Sequence, residues 1–153
     1  MDTHRLAGFF HEEFFIPELV SKTKEDVLEE LVKPLVSNGK VKSKSLILET
    51  LKRRETLGST GIGKGIAVPH CRTSVVSEIH IVAGISDVGI PFDAIDKKDV
   101  KIFFLIVAPP QEETNLYLPI LGKIVEMVRN ARTRRAIRKV NDYASLLKVI
   151  QGG

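Results

Sequence analysis

Apolar and polar positions change period several times along the chain, and each change marks a predicted element. Val27, Leu28, Leu31, Val32, Leu35 and Val36 recur three and four apart, the stripe of an amphipathic helix over Lys24–Ser37. Thr23 and Asp26 have capping-box spacing, with Asp in place of the usual Glu, and Glu25 and Asp26 suit the positive first turn. Pro34 is expected to kink or shorten this helix, and Asn38-Gly39 to stop it. A second helix is predicted over Ser45–Glu55, with Ile47, Leu48 and Leu51 inward. From Glu78 to Ile85 the pattern alternates, placing Ile79, Ile81, Ala83 and Ile85 on one face of a half-buried strand. His80, on the opposite face, is expected at solvent or against a satisfying partner. Ile102–Ala108 is a continuous apolar run closed by Pro109-Pro110 and reads as a fully buried strand. Helical period returns over Leu116–Val128, and shorter helices are predicted at Arg132–Lys139 and Asp142–Ile150. Met1–Val20 holds Phe9, Phe10, Phe14 and Phe15 with little period, and reads as a loosely packed extension ending in a short strand. This order predicts an α/β fold, a mixed domain with helices packed on a sheet.

Composition narrows the function classes. With 153 residues, 43% hydrophobic and 27% charged, the chain is long and apolar enough for one packed domain and too apolar for intrinsic disorder. Cys71 is the sole cysteine, which excludes an intramolecular disulfide or a Cys-rich zinc site. Histidines lack metal-ligand spacing, so no metal and no cofactor are expected, and Cys71 reads as a small buried thiol. No apolar run approaches a membrane span, and no basic segment followed by an apolar core opens the chain. A cytoplasmic protein is expected, touching membrane only indirectly. The net charge of +4 is compatible with an acidic protein partner, a phosphorylated ligand or weak nucleic-acid contact, and is specific for none of them. Arg129, Arg132, Arg134, Arg135, Arg138 and Lys139 form an acid-free stretch, either a docking surface or a solvated helix face. Without interleaved aromatics or a recognisable motif, nucleic acid is not an expected partner.

The candidate chemistry lies in Gly58-Ser-Thr-Gly-Ile-Gly-Lys-Gly-Ile-Ala-Val-Pro-His70, where four glycines fall within eight residues. Gly58, Gly63 and Lys64 match a phosphate-binding P-loop, but Gly65 stands where a hydroxyl must bind magnesium. The segment also follows a predicted helix, whereas a P-loop follows a strand. The better signal is its end. Pro69 fixes the backbone before His70, so the imidazole is presented by a rigid loop. Neutral imidazole is nucleophilic near pH 7 and forms covalent intermediates in group transfer. Arg54 and Lys64 flank the loop as cations for a phosphoryl group, and Ser59, Thr60 and the loop amides are candidate hydrogen-bond donors to its oxygens.

Arg54-Glu55 with Gly58–His70 resembles the signature of IIA domains of the bacterial phosphoenolpyruvate-dependent sugar phosphotransferase system, in the fructose–mannitol class. Pro91–Asp96 and the Pro-ended strand Ile102–Ala108 resemble its fructose and nitrogen-regulatory branches. The resemblance covers about Leu19–Ile150, which sets residues 1–18 apart as an N-terminal extension and 19–153 as the IIA-type phosphotransferase domain. It implies a single α/β domain with a mixed central sheet and helices on both sides. It further implies that His70 accepts a phosphoryl group on Nε2 from the histidine-containing phosphocarrier protein. The group then passes to a IIB domain, or the phosphorylation state controls a regulated target. Arg54 stands at the family's arginine beside the phosphorylated histidine, and Thr60 is a polar supporter.

One position departs from that pattern. The family's second active-site histidine aligns with Tyr117, followed by Leu118 and Leu121. Tyrosine donates one hydrogen bond but carries no positive charge near neutrality. Two readings stay open: slower transfer or a binding-only regulatory role, or ordinary chemistry with Tyr117 as a neutral donor. Asn115 and Thr114 also lie within a small loop offset of that position.

Overall fold

The computed structural model describes residues 1–152. In chain order the elements are α1 (Thr3–Ala7), β1 (Phe15–Ile16), α2 (Lys24–Ser37), α3 (Lys44–Thr56), β2 (Gly61–Gly63), β3 (Ile66–Ala67), β4 (His70–Arg72), β5 (His80–Ile90), β6 (Val100–Ala108), α4 (Tyr117–Met127), α5 (Ala131–Lys139) and α6 (Tyr143–Gly152). The strands form one mixed sheet in the order β1-β5-β6-β3-β2, and β4 also pairs with β6. β5 and β6 run antiparallel, whereas β3 and β4 both lie parallel to β6.

Burial on both faces of β6 explains its unbroken apolar sequence. Ile102, Phe104, Ile106 and Ala108 pack with α1, α4, α5 and α6 through Leu6, Ile120, Ile124, Ile137 and Leu146. Phe103, Leu105 and Val107 face α2 and α3 through Leu28, Leu31, Val32, Ile47 and Leu51. Helices therefore cover both sides of the sheet, as expected.

The α2 caps act as the spacing predicts: the Thr23 side chain accepts from the Asp26 amide at 3.2 Å. Pro34 does not shorten the helix: α2 continues past it to Ser37, without the one bond that an amide at position 34 would donate to the Glu30 carbonyl. The Pro34 carbonyl accepts the Asn38 amide and side chain, at 3.1 and 2.7 Å.

Three expectations need correction. The N-terminal segment is not loosely packed, since Leu6, Phe10 and Phe14 are buried and the Tyr143 hydroxyl donates to the Phe10 carbonyl at 2.8 Å. β5 is not half-buried: Val82 lies on the α2 side while Ile81, Ala83 and Ile85 lie on the α4 side. His80 is correspondingly withdrawn from solvent, edge-on to Phe14 with ring centroids 5.7 Å apart. Burial disfavours the imidazolium and lowers its pKa, against the pull of Glu78.

Candidate active site

The glycine-rich segment forms a hairpin, not a phosphate cradle. β2 and β3 pair antiparallel, and the two residues between them, Lys64 and Gly65, have φ of 60° and 79°. Two successive positive-φ residues make the tight turn that matches strand twist. Gly61 serves a second purpose, because a Cβ there would lie 2.8 Å from Ala94 Cα and Cβ. Its missing side chain lets the hairpin close against the Pro91–Asp96 segment, and the Ile95 amide donates to the Gly61 carbonyl at 3.0 Å.

Lys64 lies at the turn, with its amide donating to Asp96 Oδ2 at 3.0 Å. β3 pairs with β6 at Ile66↔Ile102, whereas His70 pairs at Ile106. Four residues of strand separate these registers, about 13 Å. The expected grouping of Lys64 with His70 is thus corrected. Ser59 is also engaged elsewhere, donating to the Phe92 carbonyl at 2.7 Å and accepting from the Gly61 amide at 3.0 Å.

Thr60 is buried, and both its amide and its hydroxyl donate to the Glu55 carboxylate. Glu55 is itself nearly buried and pairs with Lys24 Nζ at 3.1 Å. A buried carboxylate needs such partners, and this group ties the end of α3 to the start of the hairpin. Thr60's carbonyl then accepts the Val68 amide at 3.0 Å.

His70 opens a strand, where a loop was expected. The three residues of β4 pair parallel with Ile106, Val107 and Ala108, and the Ile106 amide donates to the Pro69 carbonyl at 3.0 Å. Side chains alternate across a strand. Cys71 therefore enters the α2–α3 core, where burial pushes its thiol up to about 12 and leaves it protonated. His70 and Arg72 face the other way, the side covered by α4.

The half-buried His70 ring is held by its own backbone: Nδ1 lies 2.8 Å from the Val68 carbonyl. A carbonyl only accepts, so Nδ1 carries the hydrogen, and in the neutral ring Nε2 keeps its lone pair. Tyr117, the first residue of α4, places its ring centroid 6.4 Å from that of His70. Burial is the main reason its hydroxyl is pushed up to about 12, so it stays protonated near neutrality. Cys71 pushes in the same direction, while the charges of Arg72 and Arg54 oppose it. Arg54, in the last turn of α3, donates from Nη1 to the Gly58 carbonyl at 2.9 Å.

Arg72 escaped the sequence reading. Its guanidinium lies over the Tyr117 ring, 4.5 Å from the centroid, and Nη1 reaches the Pro110 carbonyl at 3.3 Å. The available signal was strand alternation, which puts residues 70 and 72 on one side. Thr114, by contrast, donates to Glu112 within its own loop, and so does the Leu116 amide. Asn115 has φ of 55° in that loop.

Of the basic stretch, Arg134 donates to the Val128 and Arg129 carbonyls at 2.8 Å each, closing the end of α4. Arg135, Arg138 and Lys139 line a separate cleft with Lys101, near the hairpin end of β6. Among the described residues no cluster suited to a metal ion occurs, and no helix is long and apolar enough to cross a membrane.

Comparison with known proteins agrees with this fold. The profile of the family described as "Phosphoenolpyruvate-dependent sugar phosphotransferase system, EIIA 2" matches residues 8–152. The nitrogen regulatory protein of Pseudomonas aeruginosa is 33% identical over 129 residues, 84% of this chain and 82% of that protein. The fructose-specific EIIABC component of Bacillus subtilis is 29% identical over 130 residues, which cover 85% of this chain. The chain spans only 20% of that relative's length. Nitrogen regulatory protein IIA-Ntr from Neisseria meningitidis has the same fold, with a TM-score of 0.87 and 24% identity over 95% of this chain and 99% of that one.

Proposed function

We propose a phosphoryl-carrier function for this chain, which belongs to the EIIA 2 family of the phosphoenolpyruvate-dependent sugar phosphotransferase system. His70 is the acceptor. The observation that carries this reading is the Nδ1–H donated to the Val68 carbonyl at 2.8 Å, which leaves Nε2 as the nucleophilic nitrogen.

The donor is a phosphohistidine of the phosphocarrier protein. Its ring is protonated on the nitrogen that does not hold phosphorus. The Nε2 lone pair of His70 attacks phosphorus, and the phosphorus–nitrogen bond in the donor breaks. That electron pair returns to the donor ring, which leaves as neutral imidazole. His70 becomes an Nε2-phosphoryl imidazolium whose Nδ1–H stays on the Val68 carbonyl. No proton moves between the proteins, so the site needs no general base. Its task is electrostatic: at an effective dielectric of 20, a cation 4 Å from a unit negative charge contributes about 4 kcal/mol. Arg54 supplies such a charge, and Tyr117 supplies a neutral hydroxyl. Thr60 acts at one remove, by fixing through Val68 the backbone that holds the imidazole.

The next acceptor is a IIB domain or a regulated target in the cytoplasm, and no membrane contact is direct. The B. subtilis relative carries A, B and C components in one name, which supports the first. The P. aeruginosa relative's name supports the second. Leu57 and Leu118, next in sequence to the Arg54 turn and to Tyr117, are 81% and 63% exposed and suit protein docking. Incubation with phosphoenolpyruvate, enzyme I and the phosphocarrier protein tests the assignment by intact mass. Wild type is expected to gain one phosphoryl group and folded His70→Ala none. Full acceptance by His70→Ala would remove the assignment.

A further inference from the structure

We propose that Arg72 is a second cationic residue of the phosphoryl site, held at His70 by stacking on Tyr117. The inference rests on the carrier reading above and adds to it the source of positive charge on the α4 side.

Three observations converge on Arg72. Pairing of β4 with β6 places His70 opposite Ile106 and Arg72 opposite Ala108, both on the α4 face of the sheet. The Arg72 side chain is exposed, and its guanidinium lies over Tyr117, 4.5 Å from the ring centroid. The same ring lies 6.4 Å from the imidazole of His70, so one aromatic side chain neighbours both the nucleophile and the cation.

The charge is uncommitted. Among the described residues Arg72 has no carboxylate partner, and its one protein hydrogen bond goes to the Pro110 carbonyl at 3.3 Å. A guanidinium has five N–H donors in a planar fork, which leaves most of them for an anion. A phosphoryl group on Nε2 brings two to three charged oxygens to this side of the ring. Tyr117 offers them one O–H and no charge. Its ring face, electron-rich, is what attracts and orients the guanidinium. Tyr117 is thus a positioning residue for Arg72 as well as a donor, and the pair together supplies charge and hydrogen bond.

The test uses the full chain with phosphoenolpyruvate, enzyme I and the phosphocarrier protein, and measures the rate of phosphoryl acceptance. Arg72→Ala is expected to be slower by on the order of tenfold, the effect of one screened charge, with unchanged Tm. Free guanidinium at millimolar concentration restores its rate and leaves wild type unaffected, which a merely structural arginine would not produce. Tyr117→Phe keeps the stacking face and loses only the hydroxyl donor, so it is slowed less than Tyr117→Leu and its residual rate still depends on Arg72. Tyr117→Leu slows transfer at least as much as Arg72→Ala, and the double variant is no slower than Tyr117→Leu alone. Arg72→Lys, which keeps the charge without the fork, lies between. Arg72→Ala within twofold of wild type, or slowed without guanidinium rescue, would overturn the role of Arg72 while leaving His70 as acceptor. A wild type that takes no phosphoryl group would overturn the carrier reading, and this inference with it.

Discussion

Between Gly58 and Gly65 the backbone turns back on itself; between Val68 and His70 it runs straight along β6. These neighbouring stretches of one motif meet different demands. The first turns through positive φ at Lys64 and Gly65, and needs glycine at 61, where Ala94 leaves no room for a Cβ. The second contains no glycine and holds one imidazole by a carbonyl two residues earlier. Glycine-rich sequence near a nucleophile is easily taken for a ligand cradle. Here it shapes a hairpin whose far strand delivers Val68 and then His70 to the edge of β6.

The comparison can be broken by separating stability from chemistry. Gly61→Ala should have the larger effect. It forces a methyl group against the Ala94 backbone and should cost about 1–3 kcal/mol, read as a Tm several degrees lower. At a temperature where the variant is folded, phosphoryl acceptance by His70 should persist. A variant of normal Tm that accepts no phosphoryl group would instead tie Gly61 to the chemistry. Lys64→Ala should have the smaller effect. It should change the transfer rate by less than about twofold, because a charge beyond the Debye length, roughly 8–10 Å, is screened. A tenfold loss would return Lys64 to the site.

How much of this was legible in the sequence depended on how local each signal is. The α2 helix was readable because Thr23, the apolar stripe and Asn38-Gly39 act within a few residues of one another. The sheet core was readable because Ile102–Ala108 is apolar on both faces. Strand β4 was not, since three residues with no period become a strand only by pairing with β6, more than thirty positions later. For His80 both solvent and a satisfying partner stayed open, because alternation in β5 says nothing of Phe14, which arrives from the N-terminal segment to cover the other face. Within the proposed site, His70, Arg54 and Tyr117 stood out by residue type and motif. Arg72 did not, because its position depends on an aromatic ring from another element. Thr60 was readable as polar and near His70 in sequence, but its carboxylate partner Glu55 and the Lys24 behind it emerge only from packing.

The central claim is that the Val68 carbonyl selects the nitrogen that reacts. The most direct measurement is a long-range proton–nitrogen NMR spectrum of the His70 ring, recorded before and after phosphorylation. Before phosphorylation, the neutral ring should show a protonated Nδ1 and a bare Nε2. Afterwards, phosphorus coupling should appear on Nε2, with the hydrogen still on Nδ1. A neutral ring protonated on Nε2, or phosphorus on Nδ1, would contradict it.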